Sequence, residues 1–232
     1  MSDTVIRQWN DAAEAYAEEQ ERSVYAQANR AIVKERFRNL RGEKVLDLGC
    51  GFGWYTHYFG SIGGSAVGVD GAKAMIDIAR QRYPEASFSV HDITRPLPFG
   101  PCSFDIVFCN QVMMDIEDIG SILSECGRVL KGGGIFCFSI VHPAFYNGEW
   151  QTDADGRGFA KLISSYLTPC VSENRFWGET QHFHRPLSYY LNAAAQAGLI
   201  LTRADEPRIY DGARKNDDLP LFFFAEYAKP EH

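Results

Sequence analysis

The sequence lacks the basic runs and the long apolar segments that mark nucleic-acid-binding and membrane proteins. Its 232 residues carry 23 Lys and Arg against 30 Asp and Glu, a formal net charge of −7. Because nucleic-acid affinity depends mainly on cations that contact phosphates, this acidic balance disfavours DNA or RNA as a partner. No stretch approaches the roughly 18 apolar residues of a membrane span, so we expect no membrane association.

The N-terminus has no apolar core, and the cysteines have no pairing pattern. Residues 1–23 are polar and acidic, unlike a secretory signal peptide, so we expect a cytoplasmic protein. The six cysteines form no C-x-x-C pair and no zinc-spaced cluster with histidine. We therefore predict no metal site. Several of the cysteines lie in apolar, strand-like runs, which favours buried free thiols.

What the sequence does contain is a regular alternation of short apolar runs and amphipathic segments. Residues 3 to about 39 predict two helices, since they are rich in Ala, Glu, Gln and Arg without Gly or Pro. Further on, strands and helices alternate through residue 141, the pattern of a doubly wound parallel sheet. The predicted strands are "KVLDLG", "SAVGVD", "ASFSVHD", "FDIVFCNQ" and "IFCFSIV"; the helices between them are "WYTHYFGSI", "AKAMIDIARQRYP" and "IEDIGSILSECGRVL", the last followed by a turn at "KGGG".

Residues 142–186 interrupt this alternation. They are loop-like and rich in aromatic residues and histidine, which is typical of a lid or a binding element. "LSYYLNAAAQAGL" then predicts a helix, and "ILTRADEP" and "LPLFFFAEYAK" predict two strands that pair antiparallel at one sheet edge across a polar loop at 207–218. We expect one α/β domain with a Rossmann-like, doubly wound, seven-stranded mixed sheet and an antiparallel final strand. Its parts are an N-terminal helical lid (1–41), a core (42–141), a substrate-side insertion (142–186) and a C-terminal helix with a strand hairpin (187–232).

The motif "VLDLGCGFGW", residues 45–54, is the most informative stretch. A parallel strand delivers its C-terminal end to the crevice where open α/β sheets bind ligands, and the glycines let the backbone turn there and approach a ligand closely. The spacing is neither the G-x-G-x-x-G of dinucleotide sites nor a P-loop. Asp47, inside the motif, would repel a pyrophosphate and suits a ligand that carries a cation.

Acidic residues also end the next two predicted strands. Asp70 ends the second, where a carboxylate can accept hydrogen bonds from both hydroxyls of a ribose. Asp92 ends the third. Its carboxylate would accept a hydrogen bond from the amino group of an adenine, and Ile93 beside it offers an apolar flank for the adenine ring. Together these residues predict a ligand with an adenosine at one end and a positive charge at the other. S-adenosylmethionine meets both demands.

On these residues the sequence resembles the class I S-adenosylmethionine-dependent methyltransferases of the type 11 group, which includes ubiquinone and menaquinone biosynthesis methyltransferases. The resemblance is carried, between about residues 44 and 141, by "VLDLGCGFG", "VGVD", "RPLPFGPCSFDIVFCNQVMMDIED" and "VLKGGGIFCFSI". It implies methyl transfer to an oxygen, nitrogen or carbon nucleophile of a small molecule. The chain is expected to act as a monomer or homodimer.

The resemblance also implies which residues contact the cofactor. They are Asp47, Gly49, Cys50, Gly51, Asn110 and Gln111 around the methionine part, Asp70 at the ribose, Gly71, Met75, Asp92 and Ile93 at the adenine, and Tyr16 from the N-terminal helix. One departure concerns Met114 and Asp115, which stand where many members of the group have a histidine pair. The role of that position is therefore open, and Asp115 could instead cap the following helix.

Candidate catalytic residues are His142, directly after the fifth strand, and His184, near the end of the insertion. Either could take a proton from a phenol, a hydroxyl or an amine, although a base is needed only if the nucleophile carries a proton. The alternative is that these histidines hydrogen-bond loop backbone. Arg185 could clamp an anionic group of the substrate or lie solvated on the surface.

Two other functions are open at this point. The first is a protein that binds S-adenosylmethionine as a sensor or assembly partner without transferase activity. The second, a nicotinamide-dependent oxidoreductase, is disfavoured by the glycine spacing. The aromatic residues of the insertion favour a substrate pocket under a lid, although a small insertion also has to bury its own aromatic side chains.

Overall fold

The computed structural model describes residues 3–146, 148–208 and 218–231. Two helices come first, α1 (Asp3–Arg22) and α2 (Val24–Arg36), as predicted. The other helices of the described chain are α3 (Trp54–Ser61), α4 (Lys73–Arg82), α5 (Gly120–Val129) and α6 (Leu187–Gln196). The strands are β1 (Lys44–Leu48), β2 (Ser65–Asp70), β3 (Ser87–Val90), β4 (Phe104–Asn110), β5 (Leu130–Val141), β6 (Glu149–Thr152), β7 (Gly158–Leu162), β8 (Cys170–Asn174), β9 (Thr180–His184), β10 (Ile200–Asp205) and β11 (Phe222–Ala228).

Seven of these strands form one sheet in the order β10-β11-β5-β4-β1-β2-β3. From β3 to β5 all neighbours are parallel, because each crossover carries the chain back over a face of the sheet. β11 runs antiparallel to both β5 and β10. This confirms the predicted Rossmann-like, seven-stranded mixed sheet with an antiparallel final strand. Most of the polar loop predicted at 207–218 lies outside the described residues.

The sheet separates two apolar cores, because successive side chains of a strand point to opposite faces. In β1, Leu46 packs in the core beneath α5 and α6, whereas Val45 packs in the core beneath α2 and α3. In β5, Phe138 and Cys137 divide in the same way. Both faces are covered, so the strands are apolar at nearly every position, which is why the sequence shows them as continuous hydrophobic runs.

The insertion differs from its prediction as an irregular segment. It contains two β-hairpins, β6 with β7 and β8 with β9. At the first hairpin turn, Oδ1 of Asp153 accepts hydrogen bonds from the backbone N–H groups of Asp155 and Arg157, an aspartate turn that reverses the chain. The hairpins escape sequence analysis because their strands are short and lack a regular apolar alternation. β6 and β8 are largely exposed, and the buried face of β9 carries the polar residues Thr180, His182 and His184.

Two boundaries in the core also differ. The "KGGG" segment is part of β5, because Gly133 N–H donates to the Lys229 carbonyl and Lys229 N–H donates to the Gly134 carbonyl. α5 begins at Gly120, later than predicted, since a short 3-10 turn, Met113–Asp115, precedes it. No helix in the described part of the chain has the length and apolar character needed to cross a membrane.

Candidate active site

The glycine loop between β1 and α3 forms the floor of the candidate site. Gly49 has φ +74°, and a Cβ atom there would lie 2.5 Å from Cγ2 of Val112, so both its conformation and its packing require glycine. Gly51 has φ +52°, and nothing lies within 4 Å of the position its Cβ would take. The backbone at Gly51 is therefore open to a ligand.

Asp70, at the end of β2, holds this loop. Its Oδ2 accepts a hydrogen bond from Gly51 N–H at 2.9 Å, and its Oδ1 accepts one from Ala72 N–H at 2.8 Å. Each carboxylate oxygen has a further lone pair that can accept a ligand hydroxyl. Burial raises the pKa of Asp70, although these two backbone bonds oppose the rise.

Asp47 is a second buried acid beneath the loop. Its side chain is 1% exposed, and Oδ2 accepts a hydrogen bond of 2.6 Å from the hydroxyl of Thr56. Burial raises the pKa of Asp47 to about 7; the Thr56 bonds oppose the rise, and the charge of Asp70 adds to it. A carboxyl so placed favours a nearby positive charge, because a cation would stabilise its ionised form.

The end of β4 supplies amide groups to the same site. Asn110 Oδ1 accepts a hydrogen bond from the hydroxyl of Ser139 at 2.6 Å, and Gln111 Nε2 donates to that hydroxyl at 2.9 Å. Gln111 has φ +58°, a left-handed conformation that costs a non-glycine residue about 1–2 kcal/mol. Such backbone strain is concentrated at functional sites.

These residues surround two neighbouring spaces. The first, which we call the cleft, is lined by Gly51, Asp70, Met75 and Ile93, among others. The second, which we call the large cavity, has a volume of about 720 Å³, within the usual range of ligand pockets. Both spaces share one set of lining residues: Trp9, Tyr16, Gly49, Gly51, Asn110, Gln111 and Asp115.

Aromatic side chains from α1 and from the loop between β8 and β9 meet over the glycine loop. The ring centroids of Tyr16 and Trp177 are 4.9 Å apart, and those of Tyr16 and Trp9 are 5.2 Å apart. The ring of Tyr16 also packs against Phe52 of the glycine loop. The N-terminal helix and the insertion therefore both cover the site.

The structure brings together nearly all the predicted cofactor-binding residues. Apart from Asp92, each of them lines the cleft or the large cavity: Tyr16, Asp47, Gly49, Cys50, Gly51, Asp70, Gly71, Met75, Ile93, Asn110 and Gln111. Asp92 lines neither space. Its Oδ1 accepts hydrogen bonds from the backbone N–H and the hydroxyl of Thr94. Its contact with an adenine remains a prediction.

The structure does not bring the two predicted catalytic histidines to either space. Nε2 of His142 lies 2.7 Å from Oε1 of Glu206, and Nδ1 of His142 accepts a hydrogen bond from Ala144 N–H. Nε2 of His184 lies 2.8 Å from the carbonyl oxygen of Tyr166. Both rings are buried in these contacts, so the geometry offers no support for a catalytic role of either.

His182 lines the large cavity instead. Its ring centroid is 4.7 Å from that of Tyr146, whose hydroxyl donates to Oδ1 of Asn174. Burial lowers the pKa of His182 to about 4, helped by the charges of His184 and Arg185, so the ring is neutral at physiological pH. Alternation along a strand could have shown that His182 and His184 share one face of β9, but not which surface that face meets.

Asp115 is the site residue whose position the sequence did not reveal. It does not cap α5: Oδ1 of Asp118 accepts the hydrogen bond from Gly120 N–H at the start of that helix. Asp115 lies on the 3-10 turn, is 6% exposed, and lines both the cleft and the large cavity. Burial raises its pKa well above the usual range, and the charge of Asp70 adds to this. The sequence feature that could have indicated its position in the site is an acidic residue inside the mainly apolar run "QVMMDI".

Arg185 supports the backbone that follows this turn. It is 6% exposed, and its guanidinium donates hydrogen bonds to the carbonyl oxygens of Ile116, at 2.6 Å, and Glu117. The two alternatives from the sequence, an anion clamp or a solvated surface residue, both differ from this arrangement. Through Arg185 the insertion thus stabilises the segment after β4.

Comparisons with known proteins agree with the fold. The chain resembles a solved S-adenosylmethionine-dependent methyltransferase from Mesorhizobium loti, with a TM-score of 0.75 and 24% identity over 90% of this chain and 99% of that one. This likeness supports the fold.

Two curated relatives match the core by sequence. An uncharacterized methyltransferase of Synechocystis is 35% identical over 119 residues, 47% of this chain and 56% of the relative. The ubiquinone biosynthesis O-methyltransferase of Proteus mirabilis is 30% identical over 114 residues, 47% of this chain and 46% of the relative. The matches thus span about half the length of each relative. Residues 46–138, which run from within β1 into β5 and include the glycine loop and Asp115, match the family model described as "Methyltransferase domain".

Proposed function

We propose that this protein transfers a methyl group from S-adenosylmethionine to a small-molecule acceptor. The observation that carries the proposal is that the carboxylate of Asp70, in the cleft, accepts a hydrogen bond from the open backbone at Gly51, which lines both the cleft and the large cavity. The methyltransferase-domain match over residues 46–138 supports the same function.

The residues of the cleft fit the cofactor. Asp70 would accept hydrogen bonds from the ribose hydroxyls, while Met75 and Ile93 would flank the adenine. The open backbone from Gly49 to Gly51 would contact the methionine part. S-adenosylmethionine supplies a methyl group on a positively charged sulfur, and the raised pKa values of Asp47 and Asp115 show that this site disfavours further negative charge.

The large cavity supports a small organic acceptor. Its volume of about 720 Å³ is more than the methionine part of the cofactor would fill, and Trp150, Phe176 and Trp177 contribute apolar walls. A relative named for ubiquinone biosynthesis is consistent with such an acceptor, since ubiquinone precursors are small molecules. A nucleic-acid acceptor is disfavoured by the net charge of −7.

The alternative is a sensor that binds the cofactor without transferring its methyl group. A sensor has no need of a second ligand space, so the large cavity beside the cleft favours the transferase. The cytoplasmic location, the monomeric or dimeric state and the four-part division of the chain remain predictions from the sequence.

Transfer of labelled methyl from S-adenosylmethionine separates the two functions. The purified protein is incubated with a panel of phenols, aliphatic alcohols, amines and carboxylic acids, and the labelled products are separated from the cofactor. We expect at least one acceptor to be methylated, and Asp70→Ala to abolish this labelling. Tight cofactor binding without transfer to any member of the panel would favour the sensor.

A further inference from the structure

Asp115 is a buried carboxylate without a partner. The residue is 6% exposed, and its carboxyl group makes no hydrogen bond or ion pair with the residues that the structure describes. Burying an unpaired carboxyl destabilises a fold, so packing alone does not account for this residue. Because Asp115 lines both the cleft and the large cavity, its carboxylate lies where a ligand in one space approaches a ligand in the other.

The backbone around Asp115 is fixed, although its side chain is unpaired. The guanidinium of Arg185 donates to the carbonyls of Ile116 and Glu117 and, at 3.5 Å, to that of Met113. Arg185 is thus bound to backbone on both sides of Asp115. A carboxylate presented from a firmly held turn meets the geometric demand on a group that positions a reactant.

The cations that line the large cavity in the described chain are held elsewhere. Arg30 stacks on Trp54, with Cζ 4.6 Å from the ring centroid. Lys161 lies 4.9 Å from the ring of Trp150, and its ammonium donates to backbone carbonyls of Phe145 and Tyr146. Neither pairs with Asp115.

The titratable groups coupled to Asp115 are an acid, phenols and a buried thiol. The charge of Asp70 helps to raise the pKa of Asp115, and Asp115 in turn helps to raise the pKa values of Tyr16 on α1, Cys109 on β4, Tyr146 before the first hairpin and Tyr190 on α6. The surroundings therefore favour a hydrogen-bond donor or a cation beside this carboxyl and oppose an anion.

We propose that Asp115 binds the methyl acceptor through the O–H or N–H group that becomes methylated, and that it takes up the proton lost from that group. This inference rests on the proposed function. The acceptor oxygen or nitrogen forms its bond to the methyl group with a lone pair, the sulfur keeps the electrons of the broken S–C bond, and the proton passes to a carboxylate oxygen of Asp115 and then to water. An acceptor that is itself a carboxylate would be repelled.

The raised pKa of Asp115 supports this role, since a carboxyl with a pKa closer to neutrality accepts a proton more readily than an ordinary one. The positive charge of a bound cofactor would favour its ionised form before the proton is transferred. Among the described residues no other acid lines both spaces. Asp70 lines only the cleft, where its two oxygens accept hydrogen bonds from the backbone N–H groups of Gly51 and Ala72, and Asp47 lines only the large cavity.

Three probes that share one ring test the inference without turnover. Phenol, benzylamine and benzoate are titrated at pH 8 into the protein saturated with S-adenosylhomocysteine, the demethylated product of the cofactor, which carries no group where the methyl would be. We expect phenol and benzylamine to bind the wild-type protein at least about tenfold more tightly than benzoate. In Asp115→Asn, which removes the charge at constant shape, we expect this preference to shrink to within about threefold.

Glu117→Gln is the matched control, because Glu117 is an exposed carboxylate on the same segment. It should leave the preference among the three probes unchanged. S-adenosylhomocysteine should bind Asp115→Asn within about threefold of its wild-type affinity, because Asp115 is assigned to the acceptor and not to the cofactor. Urea unfolding of each variant verifies that it is folded.

Four results would overturn the assignment of Asp115. These are benzoate binding as tightly as the other probes, no probe binding at about 10 mM, a preference that Asp115→Asn leaves intact, and a loss of S-adenosylhomocysteine affinity above about tenfold in that variant. The last would assign Asp115 to the cofactor. Failure of S-adenosylhomocysteine to bind the wild-type protein would instead contradict the proposed function itself, whatever the three probes do.

Discussion

The backbone N–H of Gly51 donates a hydrogen bond to Oδ2 of Asp70, with 2.9 Å between the two atoms. This bond joins the loop after β1 to the end of the neighbouring strand β2. The carboxylate assigned to the ribose therefore also fixes the backbone assigned to the methionine part. The two halves of the candidate cofactor site depend on each other, and changes on either side should weaken the same ligand.

Gly49→Ala should destabilise the protein more than a positive φ alone explains. An alanine at φ +74° costs about 1 kcal/mol or more, and its Cβ would also collide with Val112 at 2.5 Å. Gly156→Ala is the matched control, since Gly156 has φ +77° with nothing within 4 Å of the Cβ position. Urea unfolding should show a loss for Gly49→Ala at least about 1 kcal/mol larger than for the control. Equal losses would show that Val112 moves aside freely.

Asp47→Asn should stabilise the ligand-free protein at high pH. Burial raises the pKa of Asp47 to about 7 from its ordinary 3.8, so the folded state favours the neutral carboxyl. The stability that this preference contributes is fully present below about pH 4 and is lost as the pH rises through about 7. Asparagine stays neutral throughout and still accepts the Thr56 hydrogen bond.

Unfolding at two pH values measures this effect. We expect Asp47→Asn to exceed the wild-type free energy of unfolding by roughly 1–3 kcal/mol at pH 8, and to match it near pH 4. The same substitution should weaken S-adenosylmethionine binding. A variant less stable than the wild type at pH 8 would show that Asp47 is ionised without cost in the folded protein.

The affinity for S-adenosylmethionine should fall as the pH falls below about 7, because protonated Asp47 no longer attracts the sulfonium. The demethylated product has a neutral sulfur, so its affinity should change less. Between pH 7.5 and 6 we expect the ratio of the two affinities to shift by up to about tenfold in the wild type. In Asp47→Asn the shift should be smaller. Parallel pH profiles for both ligands would place the sulfonium away from Asp47.

Arg185→Lys should damage the acceptor side of the site and spare the cofactor side. A lysine ammonium cannot reproduce the fork of donors that Arg185 directs at the Ile116 and Glu117 carbonyls. We expect a loss of about 1–3 kcal/mol in unfolding free energy and slower methyl transfer, with cofactor affinity within about threefold of the wild type. Arg175→Lys is the control, because Arg175 is exposed and pairs only with Glu173 among the described residues. If Arg185→Lys transfers methyl groups at the wild-type rate, the position of the Met113–Asp115 turn does not depend on the guanidinium.

The core of the fold was predictable from sequence because it follows local rules. Strands β1, β2 and β4 are covered on both faces and therefore appear as apolar runs. The glycine loop is recognisable because its closely spaced glycines are required only in a sharp, exposed turn. Asp70 followed from its position at the end of such a strand. In each case the residue type and its neighbours in sequence were sufficient.

The rest depends on contacts between distant parts of the chain. Asp115 lines the site because Arg185, 69 residues from Ile116, holds the turn. His142 points away because Glu206, 64 residues further on, binds its ring. A sequence reveals that each residue follows a strand, but not which partner it meets. The hairpins of the insertion were missed because their short strands are exposed or bury polar side chains, and so have no apolar period to detect.

Calorimetric titration of S-adenosylmethionine into the wild-type protein and into Asp70→Ala tests the central claim most directly, with Asp77→Ala as control because Asp77 is an exposed acid on α4 that pairs with Lys73. We predict saturable one-site binding to the wild type and the control, and affinity lower by at least about tenfold in Asp70→Ala, since the ribose contact and the Gly51 bond are lost together. No binding to the wild type at millimolar ligand, or equal affinity in all three proteins, would contradict the account.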